Sequence, residues 1–402
     1  MTIISGYHHF LGRHWETGSV CNFWAYRGVT APHSGQPYTE ALLLGISGGI
    51  VMGYFSFAYQ GYDPHVALLT RNTFDPLDTL LQRLGVEQEI LQTSLPEKGR
   101  TNLLGVLEGG LPALTWVDIF SLPYFSLPNE DDMYLMYPVL VYGYEVEKDT
   151  VWIADRAEVP LTVSTGELAK ARARVKKDKF RVMTLSAPNP ERLVSAVRQG
   201  IGDTLQLYTD LPPKGSPANF GFAAYQRWRE LLAMPKMSNS WASVFPPGQK
   251  MVAGLVSAFS GTIQNYPGCG GERDIYADFL GEASAILRAP RLQQAASGFR
   301  EAAQTWEALG KSLLPDEIAA FGSIRRLMLQ RKTLFRTQGG AAREAIQRIN
   351  AEIKSLKQEA SLAFPLSGSE LQDFIENLRA RIQDVHDVER QAVLALQAAM
   401  ET

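Results

Sequence analysis

Met136–Asp155 reads MYPVLVYGYEVEKDTVWIAD, two runs rich in Val, Leu, Tyr and Trp on either side of a charged turn. β-Branched and aromatic residues suit a pleated, half-buried surface, and Glu145–Thr150 (EVEKDT) is of hairpin length. Tyr137–Tyr144 and Val151–Asp155 are therefore expected to pair antiparallel. Leu114–Ile119 has the same character and supplies a further strand. Up to about residue 185 such strands alternate with helix-like runs. Beyond it nearly everything reads as helix and loop.

Pro188 and Pro190 within SAPNPE (186–191) mark a hinge between the two parts, because proline disfavours helix at the residue before it. In the last third Ile346, Ile349, Ile353 and Leu356 recur at spacings of three and four. So do Leu371, Ile375, Leu378, Ile382 and Val385. These are amphipathic helices, separated by Gly339-Gly340 and by FPLSGS (364–369), where Ser369 is placed to cap the second. An antiparallel bundle is the simpler reading; a homodimer seam through these C-terminal helices is the alternative.

Composition narrows the function classes. With 402 residues, 45% hydrophobic and 20% charged, the chain can bury one or two sizeable cores. A net charge of −3 offers no electrostatic footprint for a phosphate backbone, so nucleic acid is set aside. Cys21 and Cys269 accompany no ligand spacing, and the N-terminus lacks the basic-then-apolar order of a secretory signal. A cytoplasmic protein without cofactor or metal is expected. The uncharged stretch Ala41–Tyr59 (ALLLGISGGIVMGYFSFAY) approaches membrane-spanning length, but four glycines and the absence of flanking Lys/Arg favour a buried helix-and-turn segment over a span.

His14–Gly28 reads HWETGSVCNFWAYRG, followed by Thr39-Glu40 and the glycine-rich run from Gly45 to Tyr54. Then come Gly109-Gly110-Leu111-Pro112, Leu122-Pro123-Tyr124, the YPVLVYGY hairpin, Asp155, GCGGERDIYADFL (268–280) and Trp306. In this order, over roughly residues 7–310, the chain resembles the butirosin biosynthesis protein H family. The resemblance implies an α+β fold: a papain-like, cysteine-peptidase-type N-terminal domain (1–186) followed by a mainly α-helical C-terminal domain (187–314). Residues 315–402 lie outside it.

Papain-like chemistry places a thiolate at the start of a helix, a histidine on a facing strand and an Asp or Asn behind it. The family's nucleophile lies thirteen residues before the turn glycine. Thirteen before Gly28 is Trp15, and indole is no nucleophile. Cys21 comes six residues later, about 240° around the helix, and reads as a buried small hydrophobe. The family's histidine position carries Tyr137 or Pro138, Asp155 fits the orienting carboxylate, His14 matches the histidine beside the nucleophile, and the oxyanion glutamine would fall at His9.

The resemblance thus points to acyl or aminoacyl transfer in natural-product metabolism, on an acyl thioester or small amine and without a thiol nucleophile. Tyr137, Asp155 and His14 would be the catalytic groups. Trp15, Glu16, Ser19 and Arg273 would bind substrate, with an acyl carrier protein or a small-molecule ligand as partner. The alternative is a catalytically degenerate relative that binds a ligand or protein in the former cleft. His8, His9, His14 and Glu16 include metal-ligand types but no established spacing. The glycine runs at 45–49 and 268–271 match no phosphate-loop pattern, so close packing is expected, with a substrate-facing turn beside Arg273 as the alternative for the second.

Overall fold

The computed structural model describes residues 2–126, 134–209, 216–234, 237–263 and 270–401. The strands are β1 (Thr2–Ile3), β2 (Ile50–Phe57), β3 (His65–Arg71), β4 (Gln88–Leu91), β5 (Ala113–Asp118), β6 (Met136–Glu145), β7 (Thr150–Ala154), β8 (Leu161–Val163) and β9 (Val182–Leu185). The helices of the first half are α1 (Trp15–Tyr26), α2 (Glu40–Ile46), α3 (Pro76–Arg83), α4 (Pro96–Glu108) and α5 (Thr165–Arg174). Those of the second are α6 (Leu193–Thr209), α7 (Gly221–Ala233), α8 (Trp241–Val244), α9 (Gln249–Thr262), α10 (Arg273–Leu287), α11 (Leu292–Leu313), α12 (Ala319–Gln338), α13 (Arg343–Leu362) and α14 (Gly368–Met400). The chain is thus mixed, with its sheet toward the N-terminus and a helical C-terminal part.

Two compact units share these elements. The first comprises residues 1–43, 77–193 and 331–348, the second 44–76, 194–330 and 349–402.

The first unit is built on an antiparallel sheet in the order β4-β9-β5-β6-β7-β8, with β1 pairing the end of β6. The expected hairpin is present, β6 and β7 closing at Glu145↔Thr150 so that only Val146–Asp149 turns. Every residue of β5 is buried and so is β6 from Pro138 onward, which is why these strands read as continuous apolar runs rather than as an alternation. Helix α1 packs on β6 and buries all but three of its twelve residues. A helix covered on nearly every side shows no apolar stripe. It ends where the sequence placed a turn, with Gly28 at φ 66° donating to Ala25 O.

In the second unit β2 and β3 form a separate antiparallel pair against α7 and α9. This corrects the helix-and-turn expectation for Ala41–Tyr59: α2 stops at Ile46, Gly48 and Gly49 turn at positive φ, and Ile50–Phe57 is a strand. The reason is local, since IVMGYFSF offers β-branched and aromatic residues and has a pairing partner in HVALLTR. A Cβ at Gly45 would lie 2.2 Å from the Phe279 ring, so that glycine serves close packing. Among the described residues, no helix is long and apolar enough to cross a membrane.

The stripe of α14 packs along α11, with Leu378, Ile382 and Val385 buried. Its cap is Ser367 rather than Ser369. Ser367 N and Oγ both donate to Glu370 Oε2, the Ser-x-x-Glu box in which the carboxylate reaches back to the first turn.

Candidate functional site

Trp15 is the first residue of α1, and Tyr137 lies near the start of β6, the strand that α1 covers. Their rings stack face to face with centroids 3.8 Å apart and planes 5° from parallel. The Arg156 guanidinium lies 3.4 Å from the Trp15 ring centroid, within cation–π range, and Phe125 and Phe335 line its surroundings at 5.2 and 6.0 Å. Trp15 is only 7% exposed.

Asp155, immediately beyond β7, is buried beside Arg156. Its Oδ2 accepts from Tyr124 Oη at 3.2 Å, and its Oδ1 accepts from the Arg156 amide at 2.8 Å. Arg156 Nε lies 3.4 Å from Oδ1, close enough for an ion pair but misaligned for a hydrogen bond. Burial raises the Asp155 carboxyl above its ordinary range against the pull of Arg156. Burial and the Asp155 charge push the Tyr124 phenol well above its usual value, so it remains a hydrogen-bond donor at neutral pH.

The other expected residues divide. His14 is the N-cap of α1 and fully buried, but its side chain does not cap the helix. Glu40 does that work: its carboxylate accepts from the amides of Arg13 and His14 at 2.7 and 2.9 Å, from Thr17 Oγ1 at 2.9 Å, and contacts His14 Nδ1 at 3.2 Å. Negative charge at a helix N-terminus is favourable. Burial alone would raise the Glu40 carboxyl, yet the His14 contacts and the Arg13 amide outweigh it and hold it below the usual range. Glu16 sits half-buried in the first turn and Ser19 is buried one turn on. Cys21 is buried, its Sγ donating to Tyr38 O at 3.3 Å.

Arg273 belongs to the second unit, not to this cluster. It is fully buried at the start of α10. Its Nε donates to Glu389, its Nη1 to Gly271 O and to Thr70 O at 2.8 Å, and its Nη2 to Tyr208 Oη at 2.6 Å and Val51 O at 3.2 Å. Of the preceding glycine turn, Gly268 and Cys269 lie outside the described residues, while a Cβ on Gly270 would meet the Ala303 backbone. His8 Nδ1 donates to Gly6 O, 2.6 Å away, and its ring lies 4.2 Å from that of His9 with the planes tilted by 33°. Among the described residues, no three His, Cys, Asp or Glu side chains converge as metal ligands.

Trp15, Tyr137 and Asp155, three of the residues singled out in the sequence, thus lie in one cluster joined by Arg156 and Tyr124. Tyr124 stood in a recognised motif without a role. Arg156 follows Asp155 directly, and a charged residue beside an apolar strand was the only signal available. Comparison with curated proteins gives no match. Residues 166–317 match a domain of unknown function, DUF4872. Residues 14–156, which contain every member of the Trp15 cluster except Phe335, match the family described as butirosin biosynthesis protein H, N-terminal, and with that order of domains the chain resembles a family related to secondary-metabolism biosynthesis.

Proposed function

We propose that this chain is a papain-like, acyltransferase-related protein that engages its ligand non-covalently, the former acylation groove serving as a binding surface. One observation carries the reading: the first residue of α1 is an indole held between Tyr137 and Arg156. A thiol at that place would be activated by the helix N-terminus and a facing imidazole. An indole and a phenol stacked at 3.8 Å leave neither nucleophile nor base in the same space. Cys21, directed at Tyr38 O within the helix packing, is in the setting of an inert structural thiol.

What the cluster does offer is recognition chemistry. Flat aromatic faces, an arginine whose side chain is 12% exposed and a buried carboxylate suit a planar or acyl-bearing ligand whose carbonyl or carboxylate oxygen meets Arg156. The ligand class proposed is an acyl thioester or small amine of natural-product metabolism, presented alone or on an acyl carrier protein. Titration with acyl-pantetheine thioesters should give saturable binding that Arg156→Ala weakens and Trp15→Ala abolishes. Equal affinity in all three proteins would dismiss the groove as the site.

A second reading draws on the Asp155–Tyr124 pair. A carboxyl raised by burial and hydrogen-bonded to a phenol can carry a proton, and orienting an amine beside an activated thioester lowers much of the aminolysis barrier: the C–N bond forms as the C–S bond breaks, and the amine proton passes by way of Asp155 to the departing thiolate. It requires amide product. Product formation that falls with Asp155→Asn, Tyr137→Phe or His14→Ala would favour this reading over binding alone.

A further inference from the structure

In the second unit, a cavity of about 340 Å³ is lined by Arg198 of α6, by Arg288 and Arg291 of the short connection from α10 to α11, and by the apolar Leu287, Pro290 and Met400. All three arginines are exposed. Several other surface arginines of this unit have carboxylate partners, Arg300 with Asp278 at 3.1 Å, Arg326 with Asp316 at 2.9 Å and Arg379 with Glu376 at 2.7 Å, while the exposed Arg390 has none among the described residues and stands apart from this cavity. Among the described residues, no carboxylate pairs with Arg198, Arg288 or Arg291.

One cation here has a structural explanation. Arg288 is the C-cap of α10, where the helix dipole is negative. Two more at the same cavity do not, because like charges brought together repel unless an anion lies between them. Arg288 also holds φ 55°, a conformation that glycine or asparagine adopts more cheaply at a helix end, and Pro290 fixes the backbone between it and Arg291. The connection thus holds two guanidinium groups close in sequence at one opening.

We propose that this cavity is a binding site for a small phosphate monoester carrying an apolar body. Planar guanidinium forks match phosphate oxygens two at a time, and three of them neutralise a dianion better than a carboxylate. The volume is at the low end for small-ligand sites yet exceeds a bare phosphate, and the Leu287, Pro290 and Met400 wall takes up the remainder. This site is independent of the Trp15 cluster and of its proposed function.

Calorimetric titration of the full chain with phenyl phosphate, benzoate and inorganic phosphate tests it. Phenyl phosphate should bind saturably and more tightly than either of the others, and the affinity should fall as salt is raised. Arg198→Ala, Arg288→Ala and Arg291→Ala should each weaken binding about tenfold, the loss of one charge-assisted contact. The triple variant should not bind, and Arg300→Ala should bind as the unaltered chain does. Unchanged melting temperatures in these exposed-residue variants separate lost binding from lost fold. Absence of saturation, or undiminished binding by the triple variant, overturns the site. Benzoate binding as tightly as phenyl phosphate overturns its assignment to phosphate.

Discussion

Arg156 in the first unit and Arg273 in the second each lie against a carboxylate and over a tryptophan, and the two differ in how completely the guanidinium is satisfied. Arg273 lies 4.8 Å from the Trp306 ring centroid and donates to Glu389, Tyr208 and three backbone carbonyls; Glu389 also accepts from Trp306 Nε1 at 2.7 Å. Arg156 stacks on Trp15, ion-pairs among the described residues with the Asp155 carboxylate alone, has a misaligned Nε and keeps 12% of its side chain exposed. The first arrangement is closed, a polar network whose members are committed to one another. The second leaves the Arg156 Nε without a hydrogen bond and part of the side chain exposed, which the proposed binding role would use. Burial of an arginine is thus a poor guide to its role, and the count of satisfied donors is a better one.

The sharpest way to break this contrast is to remove one carboxylate from each pair. Glu389→Ala strands a fully buried guanidinium and should cost about 3–5 kcal/mol in urea unfolding. Asp155→Ala should cost distinctly less, because Arg156 can turn toward water. Equal losses would erase the distinction. Trp15→Ala should destabilise by about 3 kcal/mol through the cavity it leaves, with loss of the Tyr137 stack visible in near-ultraviolet circular dichroism.

The two carboxylates of the first unit should also differ in their response to pH. Glu40 is held below its ordinary value near 4.5, so its contribution is complete above that pH and is lost as pH falls through the lowered folded value. Glu40→Gln should abolish that acid-side loss. Asp155, raised from its ordinary 3.8, has the opposite sign: its contribution is present below that pH and is lost as pH rises through the raised value. Asp155→Asn should therefore remove a decline where Glu40→Gln removes a gain, as melts across an acidic pH series would reveal. The smallest expected effect is Tyr124→Phe, about 1 kcal/mol for one buried hydrogen bond.

The β6–β7 hairpin and the amphipathic C-terminal helices were legible because their signals are local: strand composition with a charged turn, and apolar residues at helical spacing. The strand Ile50–Phe57 was not, since an apolar run bounded by glycines reads equally as buried helix until its partner β3 is known. At the site, the family resemblance brought Trp15, Tyr137 and Asp155 to one place. It did not disclose Arg156, whose importance lies in what it stacks upon, nor the capping role of Glu40, which joins residues 26 apart. Arg273 was singled out for its charge beside a glycine turn, whereas the partner that closes its network, Glu389, stands 116 residues away in α14, outside both family matches.

If the groove holds an acyl ligand without forming a covalent bond to it, the protein keeps its mass while the ligand is bound. Intact-mass spectrometry of the full chain after incubation with reactive acyl-pantetheine thioesters tests this most directly. The protein mass should be unchanged under conditions where the ligand binds saturably. An acyl adduct that forms stoichiometrically, maps to Cys21 and is lost in Cys21→Ser would contradict it.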